Sequence, residues 1–191
     1  MKNQTFQQMM KHVHELIAKD QWQTALEELR LADVKFPQTP AILTAMGDCQ
    51  IHLEKPEAAI SQFLKVVELE PGSVEAYNNL GVAYMFAQDF PNAEATYLEA
   101  LQFKPNHSQT LKNLAFLYYQ QEARLGDAAT LLASVIRENP SDCEALFLMG
   151  QCYEVGEDLP SAKLCYERIL VYQPGSQLAL EALNQVHFKK N

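Results

Sequence analysis

Residues 74–107 read VEAYNNLGVAYMFAQDFPNAEATYLEALQFKPNH, and this stretch decides the fold. In its first half, residues at spacings of three and four are apolar or small: Tyr77, Leu80, Gly81 and Tyr84. The same kind of spacing returns after Pro91, at Ala93, Tyr97 and Ala100. A period of this length places these side chains on one face of a helix. The stretch therefore predicts two successive amphipathic helices.

The stretch is one copy of a repeat that prolines mark along the chain. They are Pro37, Pro71, Pro105, Pro140 and Pro174, separated by 34, 34, 35 and 34 residues. A fixed period of this size indicates an array of repeats in which each unit packs on its neighbours. The single spacing of 35 places one extra residue in the fourth unit, between its helices near residues 124–126.

Two columns of small residues emerge when the units are aligned on their prolines. The first helices contribute Gly47, Gly81, Ala115 and Gly150, and the second helices contribute Ala25, Ala59, Ala93, Ala128 and Ala162. We expect these columns to face each other, because small residues on both sides let two helix backbones approach closely. A larger side chain there would cost about 1–3 kcal/mol of strain.

The third unit resembles the signature of the tetratricopeptide repeat family, and the other units follow it in phase over essentially the whole chain. The resemblance implies an all-α fold, a right-handed α-solenoid of helix-turn-helix repeats with a C-terminal capping helix. We predict a single domain over residues 1–191. Its repeats lie at about 6–39, 40–73, 74–107, 108–142 and 143–176, with the capping helix at about 177–189.

Local residue choices predict where these helices begin. The pair Thr39-Pro40 is typical of a helix N-terminus, and Ser73 and Ser141 are predicted to be N-caps as well. The second helices of three units are predicted to start at prolines, namely Pro56, Pro91 and Pro160. The period-setting prolines fall just past helix ends, where a missing backbone N–H does no harm.

The last predicted helix has the pattern of a cap. Leu180 and Leu183 fit the apolar columns, whereas Asn184 falls in the small column and His187 in the aromatic column. Polar residues in these columns suit a helix that no further helix follows.

Composition limits the classes of partner. The 191 residues carry a net charge of −9, and 48% of them are hydrophobic. An acidic surface repels nucleic-acid backbones and anionic membranes, so we predict neither as a partner. The start of the chain lacks the apolar core of a secretory signal, and no apolar run is long enough to span a bilayer. These features predict a cytoplasmic location.

No residue pattern in the chain indicates catalysis. The four cysteines form no C-x-x-C pair, and Cys49 and Cys152 share a column that favours a small buried residue. We therefore interpret the cysteines as buried free thiols rather than metal ligands or disulfides. No Ser/His/Asp set or glycine-rich phosphate loop is visible. We predict a protein that is not an enzyme and that uses no cofactor or metal.

The resemblance implies that the first helix of each repeat lines a concave groove for a protein partner. We expect Asn79 and Asn113 to bind peptide backbone there, because an amide offers both a donor and an acceptor. The alternative is that both are solvated or brace neighbouring helices. The other candidate partner-binding residues are Asn78, Lys112, Phe86, Phe116, Tyr119, Phe147, Gln151, Glu75 and Gln109.

The roles expected of these candidates differ with their chemistry. The aromatic residues would bury apolar anchors of the partner, although some of them would instead belong to the core between repeats. Lys112 would pair with an acidic group of the partner. The resemblance also argues against binding of an acidic chaperone tail, since the groove columns contain no arginine for a carboxylate clamp.

The resulting hypothesis is a non-enzymatic scaffold or adaptor that binds a peptide or protein segment in the groove, as a monomer or weak homo-oligomer. One alternative is a structural protein that assembles with itself. Another is a secretion-type chaperone that shields an apolar segment of a client protein.

Overall fold

The computed structural model describes the backbone of residues 2–189 and the side chains of residues 5–188. Between these limits the regular secondary structure is helical, which confirms the all-α prediction. The chain divides into two compact units, Met1–Pro105 and Asn106–Asn191, which we name unit 1 and unit 2. The single domain over residues 1–191 stays a prediction.

Unit 1 contains three helical hairpins. Its helices are α1 (Lys2–Ile17), α2 (Trp22–Lys35), α3 (Pro40–His52), α4 (Pro56–Leu69), α5 (Val74–Phe86) and α6 (Phe90–Phe103). Each helix packs on the next one along the chain, and the first helices α3 and α5 also touch each other. The surfaces of α1, α3 and α5 that do not pack on second helices carry the candidate site of this unit.

Unit 2 contains two hairpins and a final single helix. Its helices are α7 (Ser108–Gln120), α8 (Leu125–Glu138), α9 (Cys143–Val155), α10 (Leu159–Tyr172) and α11 (Gln177–Lys189), with a short 3-10 helix at Glu122–Arg124. Consecutive helices again pack together, and α7 also touches α9. No helix of residues 2–189 is both long and apolar enough to cross a membrane.

The turns inside the hairpins explain the single spacing of 35. In four hairpins the turn residue adopts a left-handed backbone conformation, at Asp20, Glu54, Gln88 and Glu157. In each, the following N–H donates to a carbonyl five residues earlier, as from Asp89 to Tyr84 at 2.9 Å, which satisfies an orphan carbonyl of the helix end. The α7–α8 turn holds the 3-10 helix instead, at the place predicted for the extra residue.

Helix starts and stops lie at or close to the predicted positions. Helices α6 and α10 begin one residue before Pro91 and Pro160, and the Thr39 hydroxyl donates to the carbonyl of Phe36 instead of capping α3. Each period-setting proline lies two residues beyond the end of a second helix. Ser73 caps α5 by accepting a hydrogen bond from the N–H of Ala76 at 3.2 Å. Ser141 was predicted to cap α9 and does not. Asp142 takes this position and accepts from the N–H of Ala145 at 2.9 Å, while the Ser141 hydroxyl donates to Asn139.

The atoms nearest to the glycines of the first helices belong to aromatic rings of the second helices, a contact that the two columns of small residues do not predict. A Cβ on Gly47 would lie 2.5 Å from the Phe63 ring, and one on Gly150 would lie 2.5 Å from the Tyr166 ring. Gly81 stands in the same relation to Tyr97. The glycine leaves room for a ring that lies flat against the helix backbone.

The last helix buries a different set of residues from the predicted one. Ala179, Ala182 and Val186 are buried in α11, which packs on α10. Leu180 is 40% exposed, although it fits an apolar column. In earlier repeats this column packs against the unit's own second helix, and α11 is followed by none among the described residues. The prediction that α11 caps the array with polar outer columns agrees with the exposure of Asn184 and His187.

Candidate functional site

Each unit has a cavity that residues of its first helices line in large part. The unit-1 cavity has a volume of about 720 Å³ and its walls include Trp22, Asp48, His52, Asn79, Val82 and Phe86. The unit-2 cavity has a volume of about 600 Å³ and its walls include Lys112, Asn113, Phe116, Phe147, Gln151 and Leu178. Seven of the eleven predicted site residues therefore line one cavity or the other.

In unit 1 the structure brings together Asn79 and Phe86, which lie seven residues apart on α5. Phe86 is 60% exposed at the end of the helix, and Asn79 is half-buried within the cavity. An exposed phenylalanine beside an amide offers a partner both apolar contact and a hydrogen bond.

The remaining walls of the unit-1 cavity contain polar and aromatic groups that the sequence analysis did not select. The rings of Trp22 and His52 are stacked with centroids 3.7 Å apart. Burial raises the pKa of the Asp48 carboxyl, and the nearby His52 opposes this shift without cancelling it. Trp22 lies on the second helix α2, whereas the columns that predict groove residues belong to first helices.

In unit 2 two candidate rings pack against each other, and a third packs against a ring of the core. Phe116 is 42% exposed and its ring is stacked with Tyr119 at a centroid distance of 6.2 Å. Phe147 is half-buried and packs against Tyr166, whose hydroxyl donates to Glu154 at 3.1 Å. Phe147 is thus shared between the cavity and the core. This agrees with the expectation that some of the aromatic candidates belong to the core between repeats.

Lys112 is paired within the protein. Its ammonium group contacts the carboxylates of Glu144 and of Asp142, the latter at 3.4 Å, and only 11% of its side chain is exposed. Burial alone would lower the pKa of Lys112, but these two carboxylates hold it above its ordinary value. An acidic group of a partner would have to compete with both, so the expected role of Lys112 is corrected.

The polar candidates fall into three environments. Asn113 lines the unit-2 cavity, and its side-chain oxygen accepts a hydrogen bond from Gln109 at 3.1 Å. Glu75 is exposed in the first turn of α5, away from the cavity wall. Asn78 is 7% exposed, which leaves almost no surface for a partner and corrects its assignment.

The thiols are consistent with a structural role. Cys49, Cys152 and Cys165 are buried and Cys143 is half-buried, and all four are free. Burial raises the pKa of both Cys49 and Cys152 to about 11, so their reactive thiolate forms are scarce at neutral pH. Among the described residues, no group of three or more His, Cys, Asp and Glu is arranged to hold a metal ion.

The pattern of the tetratricopeptide repeat family matches residues 40–73, 74–107 and 113–179. The chain belongs to this family. It is accordingly a repeat scaffold of the kind that serves protein interactions. Solved structures show the same fold. A tetratricopeptide repeat protein of Thermus thermophilus has a TM-score of 0.79 at 16% identity, covering 96% of this chain and 99% of that one.

Two further relatives place the chain in context. A tetratricopeptide repeat protein of Parabacteroides merdae has a TM-score of 0.78 at 17% identity, covering 97% of this chain and 73% of that one. The protein O-mannosyl-transferase Tmtc3 of Drosophila melanogaster is 34% identical over 64% of this chain and 13% of its own length. This chain thus corresponds to a small part of that transferase.

Proposed function

We propose that this tetratricopeptide repeat protein is a non-enzymatic scaffold that binds an extended segment of a partner protein along the first helices of its repeats. The unit-2 cavity is the observation that carries the proposal. It combines an apolar wall, formed by Phe116, Phe147 and Leu178, with the amides of Asn113 and Gln151. Its volume of about 600 Å³ lies in the range of natural ligand sites.

The parts of this cavity fit different parts of a peptide. Phe116 offers an exposed ring against which an apolar side chain of the partner is buried. The amide of Gln151 provides a donor and an acceptor for the partner's backbone, and Asn113, whose side-chain oxygen accepts from Gln109, lines the same cavity. An apolar anchor beside a few orienting polar groups is the usual composition of such sites.

Lys112 supports this site from within. It lies on α7, and its two carboxylate partners lie at the start of α9, so the ion pairs tie together the two helices that form the cavity walls. We assign Lys112 to holding the cavity in shape rather than to contact with an acidic group of the partner.

A peptide selected from a random library displayed on phage tests the proposal. We expect Phe116→Ala to weaken binding of that peptide to the whole chain about tenfold or more, because the variant removes the anchor surface. Calorimetry measures the affinity. Phe188→Ala on α11 is the matched control, since Phe188 is 76% exposed and does not line the cavity.

The experiment has two outcomes that would contradict the proposal. One is that selection yields no peptide that binds the folded chain. The other is that Phe116→Ala and Asn113→Ala both bind the selected peptide as tightly as Phe188→Ala does. Circular dichroism of each variant verifies that the helices are intact, so that a lost affinity reports the site itself.

Self-association is a second candidate, favoured by the outer face of α11. Leu180 lies there 40% exposed, in the column that packs on a second helix in earlier repeats. A second copy of the chain would cover it. The exposed Asn184 and His187 on the same face weaken such a contact. Light scattering across a range of concentrations measures the mass, and a constant monomer mass would exclude this candidate.

A further inference from the structure

The unit-1 cavity differs from the unit-2 cavity in the charge that it presents. Its wall residues include Asp48, Glu54 and the histidines His14 and His52, but neither lysine nor arginine. Within residues 5–188, the Asp48 carboxylate has no hydrogen bond and no ion pair with a lysine or arginine. Asp48 is exposed, so a cation of a partner can reach its carboxylate, and the partial desolvation of this group favours an approaching positive charge.

Aromatic groups line the same cavity as this carboxylate. Phe86 is 60% exposed, and Trp22 already holds the planar ring of His52 in a parallel stack with an interplanar angle of 4°. Flat cationic groups are attracted to such aromatic faces, and the guanidinium of arginine stacks on them better than the ammonium of lysine does.

The charge of the whole unit points in the same direction. Residues 1–105 contain 14 Asp and Glu but only eight Lys and Arg. A negative surface raises the local concentration of cationic partners and favours their approach. The negative charge of the unit and the residues of the cavity wall therefore both favour a positively charged side chain.

We propose that the unit-1 cavity is a binding site for an arginine side chain of the partner segment. The Asp48 carboxylate accepts two hydrogen bonds from the guanidinium, Phe86 covers its face, and the Asn79 amide binds the adjacent peptide backbone. The site rests on the proposed function in one respect, that the partner is an extended protein segment. It uses residues of unit 1 alone.

The single tryptophan provides the readout, because Trp22 lies in the wall of this cavity. The probes are synthetic peptides of glycine and serine with one central arginine, lysine, glutamine or glutamate. At low salt we expect the arginine peptide to change the Trp22 emission saturably. We expect the affinity for the glutamine peptide to be lower by about tenfold or more, and the glutamate peptide not to bind.

Variants assign the effect to the cavity. Asp48→Asn should weaken binding of the arginine peptide about tenfold or more, since it removes the charge and keeps the shape. It should leave the melting temperature nearly unchanged, because Asp48 is exposed and the change breaks no hydrogen bond of its side chain. Glu15→Gln on α1 is the matched control: it removes the same charge from an exposed position outside the cavity, and should leave the affinity nearly unchanged.

Three results would overturn the assignment. They are equal binding of the arginine and glutamine peptides, unchanged binding by Asp48→Asn, and an equal loss in Asp48→Asn and Glu15→Gln. Equal affinity for the lysine peptide would overturn the preference for arginine. If the arginine site is overturned, the result of the Phe116→Ala experiment still stands, because that experiment measures binding at a cavity made only of residues in unit 2.

Discussion

The hairpins α5–α6 in unit 1 and α7–α8 in unit 2 are successive repeats, yet they fill the same packing position with different residues. In α5–α6, Gly81 lies against the ring of Tyr97. In α7–α8 the same two columns hold Ala115 and Leu132, both fully buried. The larger residue on the first helix thus goes with the smaller one on the second. These two hairpins keep the combined volume of the pair rather than the identity of either residue.

The two hairpins differ also at the turn and in the cavity. Gln88 turns the chain in a left-handed conformation between α5 and α6, whereas the 3-10 helix Glu122–Arg124 does so between α7 and α8. On the cavity side, Asn78 is buried in α5, and the same column of α7 holds Lys112 with its two carboxylates. One helical framework therefore accommodates different turns and different site chemistry.

The largest expected effect is that Gly81→Ala destabilises the protein by about 1–3 kcal/mol. The new Cβ would overlap the Tyr97 ring, which is buried at 1% exposure. The higher helix propensity of alanine offsets at most about 1 kcal/mol of this loss. Urea unfolding followed by circular dichroism measures the change in the free energy of unfolding.

The comparison supplies a second variant for the same test. Tyr97→Leu copies the pair found in α7–α8, so Gly81→Ala should cost about 1 kcal/mol less in a Tyr97→Leu background than in the wild type. Ala115→Gly is the control in the other hairpin and should lose about 1 kcal/mol without overlap. Strict additivity of Gly81→Ala and Tyr97→Leu would contradict the volume argument.

The fold was predictable where the signal is local or periodic. Prolines, caps and the spacing of apolar residues fix where helices begin and end, and the 35-residue spacing located the unusual α7–α8 turn. The partner of Gly81 was not predictable, because columns give the face of a helix and not the distance to the side chain opposite. Leu180 was misjudged for a related reason. Residues of its column are buried only where a second helix follows.

The candidate site was predictable only in part. Columns of first helices identified Asn79, Phe86 and Phe116 as cavity residues, since a column that is not core faces the surface. The pairing of Lys112 could not be read from its own column, because its partner Glu144 lies 32 residues further on, in the next repeat. Trp22 escaped because it belongs to the first turn of a second helix.

The second prediction concerns the column shared by Asn78 and Lys112. Lys112→Met should destabilise the protein by about 1–2 kcal/mol at neutral pH, between the values for exposed and fully buried ion pairs, because Asp142 and Glu144 lose their cation. The pKa of Lys112 is raised from its ordinary value of 10.5. Its contribution to stability is therefore complete below that pH and is lost as the pH rises through the folded-state value.

Unfolding of the wild type and of Lys112→Met is compared from neutral to strongly alkaline pH. The difference between the two free energies of unfolding should become smaller only at the alkaline end. Groups other than Lys112 titrate in both proteins, so their effects cancel in this difference. Glu144→Gln should cost less, because Glu144 is 70% exposed and Asp142 still pairs with the lysine. A difference that stays constant to the highest pH would contradict the role given to these ion pairs.

The smallest expected effect separates the two turns. Gln88→Gly should stabilise the protein by about 0.5–1 kcal/mol, because glycine adopts a left-handed conformation without the steric strain that a Cβ causes. Gln88 has φ 59° and its backbone N–H donates to the carbonyl of Met85 at 3.0 Å, a bond that glycine retains.

Glu122→Gly is the matched change in the α7–α8 turn, where the described residues adopt no left-handed conformation. It should bring no gain, because glycine there only adds freedom to the unfolded chain. Equal shifts of the two variants in thermal unfolding would show that the two turns do not differ in backbone strain.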